Sequence, residues 1–138
     1  MDDIVWYMGD VRMKKILFKA KRKDNGEWAK GSLFLENYDC KIIRSQCNSP
    51  GIEGVDVEQE TICQYTGLND RNGNMIWEND ILISGEPYIP TIPFSVRFNC
   101  KTLAFVGFYD DYEKEFPLNA DLLSSCEVIG NIFDNKTE

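Results

Sequence analysis

From Ile16 onward the chain alternates short apolar runs with turn-forming clusters at intervals of about ten residues, the pattern of an all-β domain. Ile16, Phe18 and Ala20 alternate with Leu17, Lys19 and Lys21, the period of two expected of a strand with one buried face. Asp24-Asn25-Gly26 supplies a reversal, and Trp28 to Leu35 returns as the second strand of a hairpin. Cys40 to Ile43 reads as a short strand and Asn48-Ser49-Pro50-Gly51 as a loop. Val55 to Ile62 again alternates, which would put Asp56, Glu58 and Glu60 on one strand face. Ser84 to Pro93 carries three prolines and a glycine and reads as a loop. Phe94 to Phe98 and Leu103 to Tyr109 read as strands joined by a polar link, followed by the acidic tip Asp110 to Glu115. One helical turn is expected over Ala120 to Ser125 with Asn119 as its N-cap, before the closing strand Cys126 to Phe133.

The densest local chemistry lies between Cys63 and Leu82. Gln64, Tyr65 and Thr66 suit a short strand. Gly67 is expected to end it, and Leu68 leads into a reversal in which Asp70 accepts a backbone hydrogen bond from two residues on. Asn72-Gly73 is the dipeptide preferred where two consecutive residues take positive φ. Met75, Ile76 and Trp77 restore the apolar signal, and Glu78-Asn79-Asp80 turns the chain into the strand opened by Ile81 and Leu82. A calcium loop is the sharper alternative for Asp70-x-Asn72-Gly73. Placing Gly73 at the sixth position, however, puts Leu68 at the first and Asn79 at the twelfth, where carboxylates are required. A tight turn is therefore expected.

These residues resemble the signature segment of the YopX family, small proteins of bacteriophages and prophages. Two further stretches carry the same resemblance: Met13 to Leu33, with Lys-Asp-Asn-Gly-Glu-Trp and Gly31, and Glu127 to Asn135, a Glu-Val-Ile-Gly-Asn-Ile-Phe-Asp-Asn ending that includes Gly130 and Asn131. Asn79 stands where the family usually has glycine. The resemblance implies a phage or prophage origin and a mostly β domain, with no catalytic residue to transfer. The expected architecture is a small, bent SH3-like barrel in the C-terminal half, with the N-terminal hairpin and central segment as a second β layer. At Gly130 a bulge or a close backbone contact is expected. Because the resemblance starts at Met13, residues 1–12 are read as an N-terminal extension ahead of a single domain over 13–138. Gly9-Asp10 can be encoded by a purine-rich string at ribosome-binding distance from a Met13 start codon, which fits Met13 as the natural initiator. The rival reading keeps Ile4 to Tyr7 as an added strand or a dimer contact.

Composition narrows the function by exclusion. There is no histidine, which removes Ser-His and Cys-His nucleophiles and the commonest general base near neutral pH. Cys40, Cys47, Cys63, Cys100 and Cys126 are an odd set without a C-x-x-C pair, so buried reduced thiols are expected rather than disulfides or a zinc ribbon. No metal or cofactor is expected. No run approaches a membrane span and no signal peptide is evident, so a soluble protein of the host cytoplasm is expected.

Net charge is −8, unevenly spread. Residues 1–30 carry eight basic and five acidic groups, a balance of +3, and the rest carries seven and eighteen, a balance of −11. Such an acidic body repels nucleic acid, so binding to DNA or RNA would fall to the basic hairpin. Lys19, Lys21, Lys23 and Lys30 are read first as solvated edge positions. The functional alternative is a basic patch for a phosphate backbone or for the acidic body of a neighbouring subunit. Three function classes follow. The leading one is a non-enzymatic binding or assembly module that forms homo-oligomers or acts on a host protein. The second is nucleic-acid binding through the basic hairpin and aromatics such as Trp28. The third is a carboxylate enzyme, which would need a concave site holding a desolvated Asp or Glu.

Overall fold

The computed structural model describes residues 16–44, 54–85 and 91–134, the side chains of Glu36, Ile43 and Arg44 excepted. The segment expected to be an extension, residues 1–12, and Cys47 lie outside the described residues. Two antiparallel sheets account for most of the chain. The first contains β1 (Phe18–Lys21), β2 (Trp28–Glu36), β3 (Asp39–Arg44), β4 (Gly54–Asp56), β5 (Cys63–Asn69) and β6 (Met75–Trp77), in the order β4-β3-β2-β1-β5-β6. The second contains β7 (Asp80–Ser84), β8 (Phe94–Asn99), β9 (Ala104–Tyr109), β10 (Lys114–Pro117) and β11 (Cys126–Asn131), in the order β10-β9-β8-β7-β11. The protein is mainly β, as expected, but among the described residues the C-terminal sheet is open. Its outer strands β10 and β11 do not pair, so the barrel does not close. Among the described residues no helix is long and apolar enough to cross a membrane.

The first hairpin forms where the alternation placed it. Arg22 and Glu27 close its turn by a backbone bond of 2.8 Å, Gly26 takes φ 76, and the Asn25 side chain accepts from the Glu27 amide. β2 then continues to Glu36 and pairs with β3 across a two-residue turn, Asn37–Tyr38. Both turn residues adopt positive φ, 54 and 70, without a glycine, which hid this second hairpin from the sequence pattern. The expected strand face of Asp56, Glu58 and Glu60 does not form. β4 stops at Asp56, and Glu60 lies in a 3-10 turn, Gln59–Thr61.

Alternation sends Phe18, Ala20 and Ala29 to one face of the first sheet, where Ala20 and Ala29 are direct partners in a core with Ile42 and Val57. The main core lies against the second sheet, where Leu82, Phe94, Val96 and Cys126 meet Ile76 of β6 and Leu123. A single helical turn, α1 (Ala120–Leu123), buries Leu123 there, with the Asn119 side chain accepting from the Leu122 amide at 2.8 Å as the expected N-cap. The register shift between Val128 and Gly130 against β7 is the expected irregularity at Gly130. Of the cysteines, Cys63 and Cys126 are buried and Cys40 is half-buried. Cys100 is exposed, against expectation, because it falls in the β8–β9 turn.

Candidate functional site: a basic and aromatic cleft where the sheets meet

The central segment joins the two sheets, and its backbone chemistry builds one wall of a cleft. β5 does not end at Gly67. It passes through that residue at φ 91, with a register shift between Tyr65 and Asn69, and continues to Asn69. Thr66 holds the middle of β6, its hydroxyl donating to the Ile76 carbonyl at 2.8 Å, and the Leu68 amide donates to that hydroxyl. Leu68 packs on the main core.

In the turn that follows, only Gly73 has positive φ, 84; Asn72 does not. Asp70 holds the turn without a second positive-φ residue. Its Oδ1 accepts from the Asn72 and Asn74 amides at 2.9 and 2.8 Å, and its Oδ2 accepts from the Val128 amide of β11 at 2.9 Å. Burial pushes the Asp70 carboxyl upward, but these amide donors prevail and hold it below the usual carboxylate value. One carboxylate thus pins the β5–β6 turn to the opposite sheet.

At the next turn Asn79 takes φ 73, the left-handed conformation that explains why glycine is usual at this place. Its amide donates to the Val96 carbonyl at 2.7 Å, and its own carbonyl accepts from Ile132 at 3.1 Å. Gln64 caps the turn from the other side: its carbonyl accepts from the Glu78 amide, and its amide donates to the Glu78 side chain.

The opposite wall comes from the first hairpin. Register places Lys19 directly opposite Lys30 and Lys21 opposite Trp28, with Cys63 on the other side of Lys19 and Tyr65 opposite Trp77. All these side chains share one face of the first sheet. Lys19 is therefore not the solvated edge residue that its place in the alternation suggested. It is 8% exposed, with its ammonium 4.4 Å from the ring centroid of Trp28 and 5.1 Å from that of Trp77. Among the described residues it makes no hydrogen bond and no ion pair. Burial lowers its pKa, partly offset by the negative charge of Asp80. Lys30 is exposed and brings a second ammonium to 5.7 Å from the Trp77 ring. Lys21 is tied to Asp134, which also accepts from the Trp28 indole N–H at 2.9 Å. The Lys21 and Trp28 contacts hold the Asp134 carboxyl down at about 2. Lys23 does not join this group. It sits in the turn after β1, its amide bonded to the Asp56 carbonyl.

Between these walls lies a cleft of about 430 Å³, the size of a small-ligand site. Lys19, Lys30 and Trp77 line it from the first sheet, Asn74 and Met75 from the β5–β6 region, and Asp80, Val128, Gly130 and Asn131 from the second sheet. Asp80 is 3% exposed and accepts from the Trp77 amide at 2.8 Å; burial pushes its carboxyl up to about 6. A concave site with a desolvated carboxylate, the mark set out for a carboxylate enzyme, is thus present. Ile76, by contrast, is wholly buried core and takes no part.

Of the motif residues, Gly73, Trp77, Asp80, Gly130 and Asn131 reach the cleft, and Asp70 braces it. Of the basic residues, Lys19 and Lys30 line it and Lys21 lies beside it. Asn74 and Asp134 were missed. The only sequence signal for Asp134 was its place in the C-terminal stretch that carries the family resemblance.

A comparison with curated proteins finds no match. Among solved structures, protein EF1440 from Enterococcus faecalis is 21% identical, with a TM-score of 0.60 over 88% of this chain and 95% of that one. That likeness shows the fold alone. The family model described as YopX protein matches residues 17–137, which takes in both sheets and every residue of the cleft. The chain belongs to the YopX family.

Proposed function

We propose that this protein is a non-enzymatic binding and assembly module of phage or prophage origin, working in the cytoplasm of the bacterial host. Its cleft grips a carboxylate on the surface of a partner protein. The observation that carries this reading is Lys19, a buried ammonium without a hydrogen-bond acceptor among the described residues, placed opposite a second lysine. A buried charge without a partner and two like charges directly opposite are both unfavourable. One anion bridging Lys19 and Lys30 relieves both. With Asp80 ionised the cleft carries two positive charges and one negative, a balance that a single carboxylate neutralises.

Catalysis has less support. The Asp80 carboxylate is enclosed and engaged by the Trp77 amide, so a substrate has little access to it. Nucleic acid is the competing partner, supported by the grouping of Lys19, Lys21, Lys30 and Trp28 on one face. Lys21 is engaged by Asp134 and Lys23 stands apart from the cleft, however, which leaves Lys19 and Lys30 to meet phosphate. Two phosphate contacts would give a salt slope of only about −2.

The test is a titration with a tetraglutamate peptide, read by tryptophan emission, on the protein and on Lys30→Glu. Saturable binding weakened by that substitution supports the proposal. Absence of binding, or binding only to an oligonucleotide, overturns it.

A further inference from the structure

Given a carboxylate-binding cleft, the chain itself carries a suitable ligand. The β9–β10 turn presents Asp110, Asp111, Tyr112 and Glu113, all exposed, with Tyr112 62% exposed and Glu113 at φ 49. Asp110 is paired with Arg97 at 2.6 Å, which fixes the base of the turn and leaves Asp111 and Glu113 to project on either side of an exposed tyrosine. A bulky tyrosine flanked by carboxylates suits a partner site that is basic and partly apolar. The cleft is such a site, with Lys19 and Lys30 beside Met75 and Val128.

Within one molecule the two features lie on different parts of the second sheet. The turn joins β9 to the outermost strand β10, whereas the cleft is lined by β11, the opposite edge of the same five-stranded sheet. Four strand spacings separate β10 from β11, about 19 Å, and two separate β9 from β7, which brings Asp80 to the cleft, about 10 Å. We infer that the acidic β9–β10 turn of one copy docks in the Lys19–Lys30 cleft of the next, adding Asp111 or Glu113 to a site whose two lysines face the single carboxylate of Asp80. This rests on the carboxylate reading above and names its partner as a second copy of this chain. The contact joins two different surfaces, so it propagates head to tail, as a ring or a filament, rather than stopping at a two-fold dimer.

Sedimentation of the full chain across a range of concentrations tests the inference, using charge reversals on exposed residues that leave the cores untouched. The wild type is expected to form oligomers whose mass grows with concentration and which dissociate in excess tetraglutamate. Lys30→Glu alone, and Asp111→Lys with Glu113→Lys, are each expected to weaken association by at least about ten-fold, or 1.4 kcal/mol. An equimolar mixture of the two variants is expected to associate again, because each cleft then meets a turn of opposite charge. A mixture that stays monomeric, or oligomers indifferent to both reversals, overturns the inference. A monomer that still binds tetraglutamate through Lys30 overturns self-docking and leaves the carboxylate site standing. A protein that neither associates nor binds the peptide overturns both.

Discussion

The ammonium groups of Lys19 and Lys30 converge on one indole: they lie 5.1 and 5.7 Å from the ring centroid of Trp77, on strands that set the two residues directly opposite each other. Each cation–π contact contributes about 0.5–2 kcal/mol. That offsets part of the cost of burying Lys19 and leaves its three N–H donors without an acceptor among the described residues.

A residue kept for binding at the expense of stability has a recognisable signature. Lys19→Met retains the packing against Trp28 and Trp77 and removes a buried charge. It is expected to stabilise the fold by about 2 kcal/mol at pH 5, where Asp80 is largely protonated, while abolishing peptide binding. Urea denaturation and the peptide titration on the same sample check both halves.

Asp80 gives the stability an unusual pH dependence. Its folded pKa of about 6 lies above the 3.8 of an unperturbed aspartate, so between these values the folded state holds a proton that the unfolded chain has lost. Stability from this group is therefore greatest at low pH and falls as pH rises through 6, by on the order of 3 kcal/mol in total. Asp70 and Asp134 are lowered instead, and their contribution is present above pH 4 and lost as pH falls toward 2. Maximal stability is expected near pH 4 to 5. In Asp80→Asn, which keeps an acceptor for the Trp77 amide, the decline between pH 5 and 7 is expected to flatten. Denaturation midpoints across this range measure it.

Asp70 is expected to be the most sensitive polar residue of the fold. Asp70→Ala leaves the amides of Asn72, Asn74 and Val128 without their acceptor, at a cost of about 3 kcal/mol. Because one of those amides belongs to β11, hydrogen exchange should quicken at Val128 as well as in the turn itself. Faster exchange confined to the turn would contradict the bracing role.

Local chemistry made much of this fold legible. The Asn119 cap, the first hairpin, the Asp70 turn and the irregularity at Gly130 each follow from one or two residues whose backbone preferences are strong. The second hairpin was hidden because its turn, Asn37–Tyr38, reaches positive φ without glycine. Lys19 was misread for a different reason. A lysine alternating with Phe18 and Ala20 looks solvated along the strand, and only the neighbours brought by register, Trp28, Cys63 and Trp77, enclose it. The hint was Leu17, an apolar residue on the face assigned to water. The cleft as a whole combines residues from both ends of the chain, and no local pattern encodes that meeting.

The most direct measurement is the titration of the Lys19 ε-ammonium by NMR, with and without tetraglutamate. An enclosed ammonium that binds a carboxylate titrates below the ordinary lysine value when free and moves upward as the peptide saturates the cleft. A Lys19 that titrates at the ordinary value, or one that the peptide leaves unmoved, would contradict the assignment of the cleft as the binding site.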